Sequence, residues 1–378
     1  MLTSLKVIGF RNITSLSMQG LSRVNLLVGE NSAGKTSVLE AIEILLLART
    51  MPHILASGPI RRGEGIAPLV SDEGGGEAAV DLRHLFHGHE VSSDSHFELK
   101  GESSRGALSV ACMVEPASTR DGHVPVSGVD ANRSGLDLVL LMEPGAVDCR
   151  LSIEFPLSRS TIDVLMENRR IAIDSLRRTS RRGSVEEQLR AFSLQFVEAG
   201  APQLESLGAL WEGIVLTPEE NNLTGVLRII HPDVERLAWL SRPRHEPGGI
   251  FVKLAHSEQR VPIGSLGAGS KRLLVLAMNL VKSAGGYVLL DEIDTGLHYS
   301  VMVKMWEFVI ETARRLNIQV FATTHSLDCI QALAGLYARD SGLRGDITLH
   351  RIEKGTSAAI RYSANEILNA IRRPVEVL

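Results

Sequence analysis

Gly29-Glu30-Asn31-Ser32-Ala33-Gly34-Lys35-Thr36 meets the spacing G-x-x-x-x-G-K-S/T at every fixed position, and no other stretch constrains the chain as tightly. Glycines at the two ends let the backbone curl, so that its N–H groups point inward at phosphate oxygens. Lys35 supplies a point charge for β- and γ-phosphates, and Thr36 offers a hydroxyl to Mg²⁺. An apolar strand pattern, Val24–Val28, precedes the loop. A helical pattern follows it from Lys35 to about Ala48, with Val38, Leu39, Ile42, Leu45 and Leu46 on one face. That helix would aim its positive end at the same anion. Residues Gly29 through Ser37 are therefore the expected cradle for ATP.

A phosphate loop of this kind needs a metal and a base elsewhere in the chain. Tyr287-Val288-Leu289-Leu290-Asp291-Glu292 is an apolar strand ending in two carboxylates. Asp291 is expected to hold Mg²⁺ through water, and Glu292 to polarise an attacking water as general base. Alone, such a strand could simply be a buried one that ends in acids. Beside the loop at Gly29, the metal reading is the stronger.

Ser265-Leu266-Gly267-Ala268-Gly269-Ser270-Lys271-Arg272 comes before the acidic strand. Asp294-Thr295-Gly296-Leu297-His298 comes after it, followed by the strand Val320–Thr324 and then His325. This order resembles that of ABC-type ATPases: Walker A, signature, Walker B, D-loop, switch histidine. The resemblance implies a head-to-head homodimer around two ATP–Mg²⁺. The signature of one protomer would close on the ATP of the other through Gly267, Gly269 and the start of the following helix. Ser265 or Ser270 would add a hydroxyl, Asp294 would stand in the D-loop, and His325 would sense the γ-phosphate. The usual signature is Leu-Ser-Gly-Gly-Gln; Leu266-Gly267-Ala268-Gly269-Ser270 lacks its second-position serine, which implies slow or partner-stimulated turnover. Gln188, Gln195 and Gln203 are all open as the Q-loop glutamine.

Gly9-Phe10-Arg11-Asn12 followed by Asn25–Asn31 resembles the opening of RecF and of OLD-like ATPases in the SMC/RecF/OLD group. Asp291–His298 and Phe321–Ser326 resemble the OLD-like AAA-family proteins found in bacterial phage-defence operons. The likeness covers residues 1–48 and about 210–335. It implies that Arg11 and Asn12 lie near the nucleotide, although Arg11 reads equally well as a surface charge at a strand end. The resemblance points to phage defence or DNA maintenance, with a separate effector (a nuclease or toxin). The alternatives are a RecF-like ATP-dependent DNA binder, or a weakly hydrolysing sensor that holds a toxin. OLD nucleases carry a further metal site, yet the acids after His325 show no Asp-x-Asp cluster, so the chain is not expected to be the nuclease itself. No long heptad run suggests an SMC arm.

The expected fold is α/β: a P-loop NTPase of ABC type with a mixed or parallel sheet. A β-rich lobe and a helical lobe are inserted between the phosphate loop and the signature. Residues 1–50 and 234–378 would form the ATPase core, 51–160 the β-rich lobe and 161–233 the helical lobe. Short β-like runs recur at Ala79–Phe86, Phe97–Lys100, Ala107–Val114, Leu136–Met142 and Cys149–Phe155. Val185–Glu198, Gln203–Trp211 and Pro218–Ile230 read as helices, the last opened by a Thr217/Glu220 capping box. From Glu235 onward strands alternate with helices.

A net charge of −4 excludes a general basic coat, so any DNA contact must be local. Arg169, Arg170, Arg177, Arg178, Arg181 and Arg182 fit either a phosphate-backbone patch or a solvated loop. His84, His87 and His89 fit a surface loop better than a metal site. The three tryptophans are expected in the core. The cysteines, Cys112, Cys149 and Cys329, are too far apart for a zinc ribbon and fit a reducing compartment. No apolar run is long enough to cross a bilayer, and a cytoplasmic protein without membrane partners is expected.

Overall fold

The computed structural model describes residues 1–48, 52–66, 79–80, 82–89, 91–116, 136–143, 149–151, 193–200, 204–240, 248–363 and residues 366, 367 and 369. The chain opens with β1 (Leu2–Phe10) and β2 (Ile13–Gln19), then β3 (Val24–Val28) and α1 (Lys35–Leu47). Next come α2 (Ser57–Arg61), the two-residue strands β4 (Gly65–Ile66) and β5 (Ala79–Val80), and β6 (His96–Ser103), β7 (Gly106–Pro116), β8 (Leu136–Glu143) and β9 (Cys149–Leu151). β10 (Leu194–Val197), α3 (Leu204–Glu212) and α4 (Glu219–Leu227) lead to β11 (Val234–Leu240), β12 (Gly249–Leu254) and β13 (Arg260–Pro262). The last run is α5 (Ala268–Lys282), β14 (Tyr287–Leu290), α6 (Tyr299–Arg315), β15 (Gln319–Thr323), α7 (Leu327–Arg339), β16 (Ile347–Arg351) and β17 (Ile360–Arg361).

The strands that flank the sequence motifs meet in one sheet of order β10-β14-β15-β3-β16-β17. All its pairings are parallel except β16 with β17. Parallel strands buried on both faces read as continuous apolar runs, which is why Val24–Val28 and Tyr287–Leu290 carried so clear a signal. Their alternate side chains feed two cores. Val288, Leu290, Val320 and Ala322 pack with α5, α6 and α7, whereas Leu27, Leu289 and Phe321 pack with α1. The polar exceptions are tied down. Asn25 accepts from Ser22 N and Thr348 Oγ1 and donates to Ser22 O and Val320 O. Gln319 exchanges hydrogen bonds with both backbone groups of Leu2, which fastens β1 to the start of β15.

A second sheet, β2-β1-β6-β7-β8-β9, is antiparallel throughout. It joins the N-terminal segment to strands within residues 51–160, so strand pairing cuts across the chain-order division expected above. β11, β12 and β13 form a third, small antiparallel sheet.

Several local expectations are corrected. Leu194–Val197 is a strand, although Val185–Glu198 reads as helical; residues 185–192 lie outside those described. It pairs in parallel with Tyr287–Leu290, and Gly286 allows the approach, because a Cβ there would collide with the Ser193 carbonyl. Among the described residues of the Ala79–Phe86 run, Ala79–Val80 is a strand and Leu82–Leu85 is a 3-10 turn that buries both leucines. Thr217 does not cap α4. Its hydroxyl donates back to Ile214 O, and the Glu220 carboxylate accepts from Leu216 N instead. Trp211 and Trp306 are core residues, while Trp239 is half-buried against the core. The Arg169–Arg182 patch lies outside the described residues. No helix among those described is long and apolar enough to cross a membrane.

Candidate functional site

The loop from Gly29 to Gly34 joins the end of β3 to α1. Gly29 (φ 138°), Ser32 (φ 62°) and Gly34 (φ 104°) take the positive-φ conformations that curl it. A Cβ on Gly29 would meet the Ile352 carbonyl, so glycine is required there for space as well. Glu30, Asn31 and Ser32 form the exposed tip, and Ala33 is buried beneath it. Asn12 braces the loop by donating to Ser32 O (2.9 Å) and accepting from Ser37 Oγ (2.8 Å). The N-terminus of α1 has no side-chain cap and no acid in its first turn, which leaves its positive end without a counter-charge of its own.

Lys35 is 5% exposed, with Nζ inside the curl. It donates to Gly29 O (2.7 Å) and Glu30 O (2.8 Å), and lies 3.2 Å from His325 Nδ1. Burial lowers its pKa from the usual lysine value, against the pull of Asp291 and Glu292. The parallel register of β3, β15 and β14 brings the acids to the same sheet end. Thr36 Oγ1 donates to Asp291 Oδ1 (3.0 Å) and Oδ2 (3.1 Å). Glu292, at φ 46°, stands with Oε1 3.5 Å from His325 Nε2 and Oε2 accepting from Thr295 Oγ1 at 3.1 Å. His325 therefore bridges the loop lysine and the second acid.

These groups fit a metal–nucleoside triphosphate. A hydroxyl beside a carboxylate is the hard oxygen pair that Mg²⁺ takes alongside phosphate oxygens. The buried ammonium has its three N–H donors directed at groups that a phosphate would replace. Glu292 and His325 are 42% and 38% exposed, open to water and to a terminal phosphate.

Arg11 is buried in an ion-pair network with α1. Its guanidinium is 3% exposed, ion-paired with Glu40 and with Glu64 (3.1 Å). On α1, Glu40 also meets Arg62 (2.9 Å), and Glu43 meets Arg61. These pairs let α1 bury Glu40 and Glu43 on what its pattern suggested was a polar side. His87 Nδ1 donates to Arg11 O, its Nε2 lies 3.0 Å from Thr14 Oγ1, and His84 and His89 face one another at 3.2 Å. Among the described residues no group of three or more His, Cys, Asp or Glu could hold a metal ion.

At the signature segment, Ser265 and Gly267 are exposed and Gly269 is half-exposed. Ser270 is 1% exposed and turned inward. Its hydroxyl donates to Leu266 O, with His231 Nε2 at 2.9 Å, so of the two serines expected to face outward only Ser265 is exposed. Gly269 abuts the D-loop, since a Cβ there would come within 3.1 Å of Gly296 O.

Three side chains at the site went unassigned in the sequence. Arg272, 8% exposed on α5, donates to Glu198 O (2.5 Å), Asp291 O (2.8 Å) and Glu292 O (2.9 Å). It ties the signature helix to the acids and to the loop after β10. Thr323 Oγ1 contacts Asp291 and the Glu292 amide, and Thr324 Oγ1 donates to Asp294 Oδ1 (2.5 Å). Only their adjacency to the motifs could have flagged them. Gln195 lies within β10 and donates to Leu194 O, while Gln188 and Gln203 fall outside the described residues.

A family model described as "AAA domain, putative AbiEii toxin, Type IV TA system" (AAA_21) matches residues 162–328. A second, a protein of unknown function (DUF2813), matches residues 1–56. An ATP/GTP phosphatase of Helicobacter pylori is 17% identical over 358 residues, spanning 88% of this chain and 87% of that protein. The DNA replication and repair protein RecF of Stutzerimonas stutzeri is 45% identical over 113 residues, which cover 29% of this chain and 29% of that protein. The RecF of Oenococcus oeni is 49% identical over 49 residues, 13% of each. The matches thus span less than a third of these RecF proteins. Among solved structures, an SMC head bound to the C-winged helix domain of ScpA superposes with a TM-score of 0.48 at 15% identity, covering 96% of this chain and 97% of that one.

Proposed function

We propose that this chain, an ABC-type ATPase of the SMC/RecF group, binds and hydrolyses ATP with Mg²⁺ and uses the cycle as a switch. The observation that carries this reading is the meeting of Thr36 and Asp291 at 3.0 Å beside a buried Lys35, with Glu292 and His325 at the open side.

The cradle of Gly29–Ser37 takes the phosphates, with Lys35 neutralising their charge and Asn12 holding the loop in shape. Thr36 and Asp291 hold Mg²⁺, which when bound neutralises charge on the β- and γ-phosphates. Glu292 accepts the proton of the attacking water, and His325 donates a hydrogen bond to the terminal phosphate. Two protomers close head to head, with Ser265, Gly267 and Gly269 of each facing the ATP of the other and Asp294 beneath them. The exposure of Gly267 beside the turn to α5 supports this. The absent signature serine supports slow or partner-stimulated turnover.

The biological setting we infer is phage defence or DNA maintenance with a separate effector, a nuclease or toxin. Support comes from the toxin–antitoxin description of the matching family model and from the replication-and-repair name of the RecF relatives. The RecF likeness also favours ATP-dependent binding of DNA as a second reading.

The deciding experiment is ATP turnover together with oligomer mass, for the wild type and Glu292→Gln, with and without DNA. A trapped ATP-bound dimer of the variant supports the composite site, and stimulation by DNA supports the second reading. A wild type that binds ATP without turning it over leaves only a sensor.

A further inference from the structure

We propose that Thr323 is a positioning residue for the metal-assisted step, acting through both acids at the end of β14; this rests on the reading of the site as an ATPase. One hydroxyl serves both neighbours. Thr323 Oγ1 donates to Asp291 Oδ1 at 2.7 Å and accepts from the Glu292 N–H at 2.8 Å. The side chain is 1% exposed, so water does not stand in for either bond. Thr323 also takes the Ile293 N–H on its carbonyl at 3.0 Å, so this one residue grips the whole Asp291–Ile293 turn.

That turn needs gripping. Glu292 has φ 46°, a left-handed conformation that a non-glycine residue keeps only when its surroundings impose it. Its N–H leaves the ladder with β15 and points at the Thr323 hydroxyl instead. Arg272 holds the Glu292 carbonyl from the opposite side.

The geometry also divides the labour on Asp291. Its carboxylate receives two hydroxyl donors, Thr36 and Thr323. Thr36 is the donor whose oxygen would also ligate Mg²⁺, whereas Thr323 would act on Asp291 through its hydrogen bond alone. Thr323 lies on β15, between β14 and β3, with its side chain buried. Its bond would keep the carboxylate aimed for the metal. A residue of the same shape without the hydroxyl would leave an orphaned amide and a carboxylate held by Thr36 alone.

The test compares Thr323→Val with Thr323→Ser in the full chain. Hydrogen bonds to charged groups are worth about ten- to a hundredfold in an equilibrium. We expect Thr323→Val to raise the half-saturating Mg²⁺ concentration for ATP turnover by about tenfold or more and to lower kcat by a similar factor. ATP affinity measured in EDTA should stay at the wild-type value, and Thr323→Ser should return both parameters to within about threefold. Should the valine variant fail to fold, Thr323→Cys, with its much weaker donor, is read the same way. A folded variant with wild-type Mg²⁺ dependence and kcat overturns the role of Thr323 alone. A wild type that neither binds nor hydrolyses ATP overturns the reading of the site, and this inference with it.

Discussion

Thr36 and Asp291, 255 residues apart in the chain, are joined by a hydroxyl that reaches both carboxylate oxygens, at 3.0 and 3.1 Å. Asp291 directly follows the apolar strand β14, and Thr36 opens α1 after the loop that leaves β3, with β15 between the two strands in parallel register. The pair forms the oxygen face to which Mg²⁺ would be drawn. Replacing Asp291 with Asn removes the negative charge while keeping an acceptor for Thr36. The expected result is a loss of about 10- to 100-fold in the Mg²⁺-dependent part of ATP affinity, with little change in EDTA. Titrating ATP with and without Mg²⁺ checks it. Equal losses in both conditions would point to a collapsed loop instead.

Glu292 reaches His325 at 3.5 Å but does not bond to Lys35, so its removal should spare nucleotide binding. Glu292→Gln keeps the size and the bond from Thr295. Turnover should fall by about 10²- to 10⁴-fold, the usual contribution of a general base. ATP affinity should remain within about threefold, since a neutral amide also relieves repulsion of the phosphates. A variant that turns over normally would remove Glu292 from the chemistry.

The parts of this site that the sequence made legible are those whose chemistry is local. Eight consecutive residues define the phosphate loop, and a run of four apolar residues before two acids defines the metal strand. Parallel pairing of the buried strands then brings them together almost automatically. The illegible parts depend on distant partners. Leu194–Val197 is only four residues long and becomes a strand because Gly286 lets it lie against β14. Arg272 resembles any charged residue of an exposed helix until its three carbonyl acceptors, two of them across the site, are in view. Ser270 turns inward because α5 starts at Ala268, a phase that no local spacing sets.

Arg11 was legible as a charge but not as a buried one, because its acids come from α1 and from residue 64. Breaking this network from one side should be costly. Glu40→Gln leaves Arg11 and Arg62 sharing one partly exposed carboxylate, and an unpaired buried charge costs about 3–5 kcal/mol. Arg11→Met combined with Glu40→Leu should cost clearly less than the two single changes added together, because each replacement removes the charge that the other leaves stranded. Arg11 already lies at φ 53°, so methionine meets the same backbone cost there. Urea unfolding of the four proteins in the cycle measures the coupling, and simple additivity would show the pairs to be energetically independent.

His350 gives the fold a pH dependence of its own. It lies on β16 opposite Leu27, is 0% exposed, and among the described residues neither ring nitrogen has a hydrogen-bond partner. Burial, with the nearby charge of Arg361 as a second cause, lowers its pKa from 6.5 to about 4. The folded value is below the unfolded one, so the unfolded chain takes up the proton first as pH falls. The neutral ring is therefore no burden above about pH 6.5, and stability is lost progressively from there down to about pH 4. The full gap corresponds to about 3 kcal/mol at 1.36 kcal/mol per unit. His350→Leu removes this titration and fills the site with an apolar side chain that leaves no nitrogen unpaired. Between pH 7 and 4.5 the unfolding free energy of the variant should fall by about 2–3 kcal/mol less than that of the wild type, because carboxylate titrations common to both cancel in the difference. Parallel curves for the two proteins would mean that His350 finds a partner or solvent in solution, and the unpaired ring would then not describe its native state.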